Sequence, residues 1–351
     1  MSVPLHTSPP NERTSYMIDQ LEGERVSIPG SKGVFRILAS SKQTNGGMAV
    51  FTSGAVLADA PGFHWHEEAH DVFLVTKGFL KLWSGDKCRI MGPGDFAYIP
   101  PHVIHNPLLL GPHTETVGLV APGDWVDFFR YVGETYNGIL VPETDDRDIK
   151  SMLMQKMMAA KDRFDVHFKR DYQPPEVGEW LDSENQLAGP GEAYFLRANT
   201  GPRWLLGGVM SRPFILASQS GGKFSMSSIE SSNVYKKSPL SKWLTFTSID
   251  HCFIVQEGLL RVKIRSVDSS SWSEVREGQT VVIAAGETFT LDFGSKYVRV
   301  WTFANGRGIE ELVQNAGSPA TGFVLPDEVG DWEESKLLDV CKDLGVDVVD
   351  L

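Results

Sequence analysis

The sequence predicts an all-β chain of two related barrels, with a helical segment between them and a short helix at the end. Three observations carry this. Short apolar runs, such as 34–38 and 48–52, alternate with breaks rich in Gly, Pro and Asn, the grammar of strands joined by turns. One stretch occurs twice: Phe73-Leu74-Val75-Thr76-Lys77-Gly78 aligns with Phe253-Ile254-Val255-Gln256-Glu257-Gly258, and Gly94-Asp95-Phe96 with Gly278-Gln279-Thr280. Six of the nine histidines fall between His64 and His113, on segments that only a closed sheet would bring together.

Taken in order, residues 1–15 read as a loose arm. Strands follow at 34–38 and 48–52, then at 72–75, ending at Gly78. Residues 79–83 and 88–91 flank a hairpin turn at 84–87. A strand after Gly94-Asp95 is stopped by Pro100-Pro101, and 114–120 forms another. The amphipathic stretch 125–131 is expected to be a helix over a barrel mouth. A long helix is predicted from 144 to about 165, with Thr144 as N-cap and Asp145 and Asp146 in the first turn at the positive end of the dipole. Met152, Met154, Met157 and Met158 make an apolar run on it, read as a packing face between domains. Residues 171–200 read as linker and irregular cover. Strand grammar resumes near Trp204, at 224–228, 243–246, 252–255, 259–264, 280–283 and 298–303. Residues 332–340 close the chain as a helix ending near Gly345. The expected domains are 1–142, the first barrel; 143–200, helical linker and cover; 201–330, the second barrel; and 331–351, the terminal helix.

Hydrophobic content of 41% and charged content of 22% are those of an ordinary globular protein. A net charge of −12 argues against nucleic acid and anionic membrane surfaces as partners. Three scattered cysteines, Cys88, Cys252 and Cys341, form no disulfide framework. No secretory h-region and no Asn-x-Ser/Thr sequon is visible, so a cytoplasmic location is expected unless a signal was trimmed. Self-association as a homodimer is left open.

The chemistry concentrates in 62–106. His64 and His66 are two apart, so on a strand both imidazoles leave one face. Neutral imidazole is the commonest metal ligand. Asp71 follows, and His105 comes after the Pro100-Pro101 stop. In a barrel His64, His66, Asp71 and His105 can converge on one divalent transition metal. His70 competes with Asp71 for the acidic position. Asp71 is preferred because its offset to Gly78 fits and because it shares a face with Phe73. In the second copy the register from Gly258 and Gly278 puts Leu244, Phe246, His251 and Phe289 at the four positions, which leaves a single donor and a structural barrel.

These residues match two motifs of the cupin family. His64, His66, Asp71 and Gly78 fit the first, and Gly94, Pro100 and His105 the second, with Asp where the motif usually has Glu and His102 where it usually has Gly. Each barrel is then expected to be a double-stranded β-helix, or jelly roll. The two-barrel plan resembles the bicupins, and more closely the fungal quercetin 2,3-dioxygenases. That likeness extends to Pro122-Gly123-Asp124-Trp125-Val126-Asp127-Phe128-Phe129. In that family one copper sits in the first barrel on three His and a Glu, and the Glu takes the flavonol 3-hydroxyl proton before dioxygen opens the ring.

The resemblance implies metal ligation by His64, His66, Asp71 and His105, with Asp71 also the catalytic base. It implies copper, with Fe, Ni, Mn, Co or Zn also compatible with the donors, and a small aromatic substrate with O2. Phe73, Met48, Phe51 and Val117 are the expected substrate-binding residues. A carboxylate in an apolar barrel is expected to have a raised pKa. A non-oxidative metal enzyme (an isomerase, cyclase, lyase or decarboxylase) and a non-catalytic binding bicupin are the alternatives.

Overall fold

The computed structural model describes residues 2–58, 61–159, 163–235, 238–265 and 271–349. The chain divides into two compact units, one of Leu21–Ser41 and Asn45–Thr200, the other of Met1–Gln20, Lys42–Thr44 and Gly201–Leu351. Among the described residues no helix is long and apolar enough to cross a membrane.

In the first unit the long strands His70–Ser84 and His105–Ala121 pair antiparallel along most of their length. Onto this ladder are added Ala49–Ala55, Gly33–Ala39 and Glu24–Ser27 on one side and Phe96–Ile99 and Tyr194–Leu196 on the other. Alternation along His70–Ser84 buries Val72 and Leu74 on one face and sends Asp71 and Phe73 to the other. Gly78 turns the chain with φ of +68°, and a side chain there would strike the His113 carbonyl.

The second unit repeats this plan in two sheets of nine and five strands. Gly258 sits at the equivalent turn with φ of +78°, and a side chain there would strike the Tyr297 carbonyl. A single apolar core fills this barrel, with Phe246, Phe253, Phe289 and Phe293 all buried.

The structure amends the expected boundaries at the N-terminus. Residues 1–15 are no loose arm: Leu5–His6 pairs parallel with Tyr16–Ile18, which pairs antiparallel with Thr280–Ile283 of the second unit. Tyr194–Leu196 does the same for the first unit, on Phe96–Ile99. Tyr16 faces Val282 and Tyr194 faces Tyr98, equivalent positions in the two repeats. Each barrel thereby covers an edge that would otherwise offer unpaired backbone groups.

The long helix begins later than predicted, at Ile149, and runs to Ala159; residues 160–162 of the predicted span lie outside the described residues. Thr144 does not cap it. Asp148 does, its carboxylate accepting the backbone N–H groups of Lys150 and Ser151. Asp145 is instead held by the Gly30 N–H at 2.8 Å and by Arg147. Met152, Met154 and Met158 are exposed, so the methionine run is not one packing face. The inward stripe is Ile149, Leu153 and Met157, four residues apart. The helix predicted over 125–131 forms, but as a 3-10 turn Gly123–Val126 followed by the α-helix Asp127–Val132. The terminal helix Glu334–Leu344 closes on Gly345 in the left-handed conformation. A further helix, Ile309–Ala316, was not predicted; it is short, and Glu310 and Glu311 on it are buried.

Candidate metal centre

His64 begins the two-residue strand His64–Trp65, which pairs with the start of His105–Ala121 so that His64 and His105 are direct partners. Asp71 pairs with Val120 on the same long strand. His66 follows one turn of the pleat after His64, while Trp65 between them points away and stacks on His167 at 4.4 Å. Four buried side chains, His64, His66, Asp71 and His105, therefore converge, each with one ligating atom within 4.8 Å of the others. Asp71 reaches the cluster despite its short side chain: Oδ2 lies 3.0 Å from His66 Nε2 and 2.9 Å from His105 Nε2.

The ring orientations follow from the other nitrogens. His64 Nδ1 contacts the Gly62 carbonyl at 2.7 Å, His105 Nδ1 the Val103 carbonyl at 2.9 Å, and His66 Nδ1 the Asp165 carbonyl. A carbonyl only accepts, so each Nδ1 carries the proton and each Nε2 turns a lone pair inward. His66 Nε2 and His105 Nε2 are then buried with no hydrogen-bond partner, facing a carboxylate oxygen that also accepts. Lone pairs converging on lone pairs call for a cation, and three imidazoles with one carboxylate are a suitable donor set for a divalent transition metal.

Electrostatics agree. Burial, with His105 and His66 beside it, holds His64 well below the ordinary imidazole pKa, so it is neutral and its lone pair is available. Burial also penalises charge on His66, but the Asp71 carboxylate outweighs it and the pKa rises. Asp71 departs from the expectation of a raised pKa. Burial does push it up, but without a metal the charge and hydrogen bonds that His66 and His105 supply once a proton sits on Nε2 hold it well below the usual carboxylate range, so the carboxylate stays ionised whether a proton or a cation fills the cluster. Its surroundings are imidazoles, not the apolar wall the sequence suggested.

Beside the cluster lies a cavity of about 190 Å³. His64, Asp71 and His105 form one end, and Phe35, Phe51, Phe73, Phe129 and Phe168 line it. Phe35 and Phe129 stack at 4.0 Å, and Phe51 meets Phe129 edge-on at 5.5 Å. Among the described residues no lysine or arginine lines it. Among the described residues the polar side chains lining it away from the cluster are Ser31, Ser53, Thr116 and Trp125, and Ser53 and Thr116 hydrogen-bond to each other at 2.7 Å.

Phe73 and Phe51 thus line the cavity, and Met48 and Val117 do not. Val117 pairs with Leu74 and Thr52, on the opposite face from Asp71 and Phe73, so the wall is made by its neighbours Thr116 and Gly118. Met48 is fully buried just before its strand, its carbonyl packed on Gly123. His70 turns from the cluster to hydrogen-bond Tyr98 at 2.8 Å, which leaves the acidic position to Asp71. His102, exposed on the surface, has φ of +67°, the left-handed conformation that explains why glycine is usual there. Sequence reasoning missed Asp165 and the segment around it. Val166 and Phe168 line the cavity, and His167–Phe168 pairs with His64–Trp65.

In the second barrel Leu244 pairs with Phe289 as His64 pairs with His105. His251 lies among Phe246, Phe253 and Phe289, with ring centroids 4.5 to 5.9 Å away. Burial pushes its pKa down to about 3. One imidazole in an apolar setting offers a metal a single donor.

The fold is that of a bicupin, two cupin barrels in one chain. Residues 56–115 match the cupin domain model. Among solved structures the chain is similar to the protein YlbA from E. coli (TM-score 0.52, 10% identity, 86% of this chain and 94% of that one). It is also similar to oxalate decarboxylase from Bacillus subtilis (TM-score 0.50, 12% identity, 86% and 78%). In sequence the chain is related to the quercetin 2,3-dioxygenases. It is 24% identical to that of Aspergillus japonicus over 325 residues, 85% of this chain and 91% of the relative. It is 30% identical to that of Bacillus subtilis over 136 residues, 39% of this chain and 40% of the relative.

Proposed function

We propose that the chain is a metal-dependent dioxygenase that opens a ring of an oxygenated aromatic substrate, flavonol-like or polyketide-derived, incorporating both atoms of O2. The observation that carries this is the cavity: flat aromatic walls lead straight to the His64, Asp71 and His105 end, with no lysine or arginine among the described residues that line it. Such walls favour a planar apolar molecule with one acidic hydroxyl. They give nothing to a small dicarboxylate, which would need a Lys or Arg partner. The relatedness to quercetin 2,3-dioxygenases along most of the chain supports the same reading.

His64, His66 and His105 through Nε2, and Asp71 through its carboxylate, would hold the ion, copper by likeness to the family. When bound, such an ion supplies Lewis-acid and redox chemistry. The rest falls to the side chains. Phe35, Phe51, Phe73 and Phe129 orient the ring and keep water out. Asp71 is the one carboxylate among the described residues that line the cavity, so a proton leaving a substrate hydroxyl at that end passes to its oxygen.

The test is oxygen consumption by metal-loaded protein on a panel of flavonols and enolisable aromatic ketones. Stoichiometric uptake that disappears in His66→Ala is the expected result. Turnover unchanged under strict anaerobiosis would instead mark a non-oxidative isomerase, cyclase or lyase. Tight binding of the panel without turnover would mark a binding protein.

A further inference from the structure

Two of the three imidazoles are oriented from within their own loops: His64 by Gly62 and His105 by Val103, each two residues away. His66 is different. The carbonyl that takes its Nδ1–H belongs to Asp165, 99 residues further along the chain. We infer that Asp165 is a positioning residue for His66, and that the metal centre is completed by the segment that carries Asp165. The inference rests on the metal reading proposed above.

The geometry is a two-sided clamp. After His66 the chain turns, and the backbone N–H groups of Glu67, Glu68 and Ala69 point the same way without strand partners. The Asp165 carboxylate takes all three, at 2.6, 2.8 and 2.9 Å. Successive N–H groups on one concave turn form an anion-binding nest, and charge-assisted bonds of this kind are the strong ones. Anchored there by its side chain, Asp165 presents its own carbonyl to two donors, His66 Nδ1–H and Trp125 Nε1–H, the latter at 2.9 Å. The His66 carbonyl is itself held by the His102 N–H at 2.7 Å. The imidazole is thus fixed in tautomer and direction by one remote residue. That residue also aligns Val166 and Phe168 on the cavity wall and His167–Phe168 against His64–Trp65.

A plain turn cap would hold the backbone and leave the metal indifferent, so the metal itself is the readout. Copper(II) and cobalt(II), each added alone, are titrated into wild type, Asp165→Asn and Asp165→Ala, following affinity and the ligand-field spectrum. Asp95→Asn is the control, since Asp95 accepts the N–H groups of Gly92 and Ala198 without contacting a histidine. Loss of such an outer partner typically costs about 10- to 100-fold in metal affinity. That loss, with a changed spectrum, is expected in Asp165→Ala and to a smaller degree in Asp165→Asn. Asp95→Asn should lower thermal stability and leave affinity and spectrum unchanged. Should Asp165→Ala fail to fold, Asp165→Asn and Asp165→Glu carry the comparison. Wild-type affinity and spectrum in the Asp165 variants would overturn the inference alone. A wild type that takes up no metal would overturn the metal reading, and the inference with it.

Discussion

His105 is the cross-strand partner of His64, and their ring centroids lie 4.3 Å apart. Leu244 and Phe289 hold the same two places in the second barrel. One backbone plan therefore carries a polar pair in one copy and an apolar pair in the other. In the second copy the apolar pair helps build a filled core; in the first, His105 of the polar pair leaves its Nε2 buried with no hydrogen-bond partner. The double substitution His64→Leu with His105→Phe should thus give a folded protein, by circular dichroism and thermal melting, whose metal content drops to none. Collapse of the fold would show that the imidazoles serve packing more than ligation.

Asp71 is expected to serve both as ligand and as proton acceptor. Asp71→Asn keeps the shape and removes the charge. Turnover should fall by about two orders of magnitude or more, the usual worth of a positioned base, with metal bound more weakly. Asp71→Glu, the side chain usual in the motif, should keep most activity. Steady-state kinetics with metal analysis on the same samples checks both. Wild-type kcat in Asp71→Asn would remove Asp71 from the chemistry.

Gly118 makes room for an aromatic wall. A Cβ there would lie 2.5 Å from the Phe51 ring, which must then swing. Overpacking of this kind costs about 1–3 kcal/mol. Gly118→Ala is expected to raise KM about tenfold while metal stoichiometry stays at the wild-type value. Unchanged KM would place the substrate elsewhere.

Glu310 gives the second barrel a pH dependence. It is fully buried, and burial pushes its pKa up to about 7, against the Ser225 hydroxyl and the Gly308 N–H that favour the ionised form. Unfolded, it titrates near the ordinary glutamate value. The folded state therefore holds a proton that the unfolded state releases between these limits, and stability falls as pH rises from about 4.5 to about 7. At roughly 1.4 kcal/mol per unit the total is on the order of 3 kcal/mol. Urea unfolding at pH 5 and pH 8 should show the loss in wild type and much less of it in Glu310→Gln. Parallel pH profiles for the two would refute the assignment.

The sequence made the four converging side chains legible because their types and spacing are set by chemistry on a short stretch. It also made the repeat legible, down to the pairing of Leu244 with Phe289. Val117 was misplaced because the face of a strand depends on its register with a partner, and a slip of one residue reverses it. Only the pairing of Asp71 with Val120 puts Thr116 and Gly118 inward. The edge strands Tyr16–Ile18 and Tyr194–Leu196 are three residues each, too short to show a period, and they pair with segments far away in sequence. Asp165 carries no motif at all. Its role appears only when the segment after the Ile149–Ala159 helix comes back onto His66. Thr144 looked like a cap in isolation, but Asp145 is taken by Gly30 and Arg147, and the helix begins where Asp148 can cap it.

The central claim is one metal held by His64, His66, Asp71 and His105, and anomalous diffraction from crystals grown with a single added transition metal tests it most directly. A single strong peak bounded by the three Nε2 atoms and the Asp71 carboxylate, absent in His66→Ala, is the predicted result. Crystals in which copper, iron, manganese, cobalt, nickel and zinc each leave that position without a peak would contradict it.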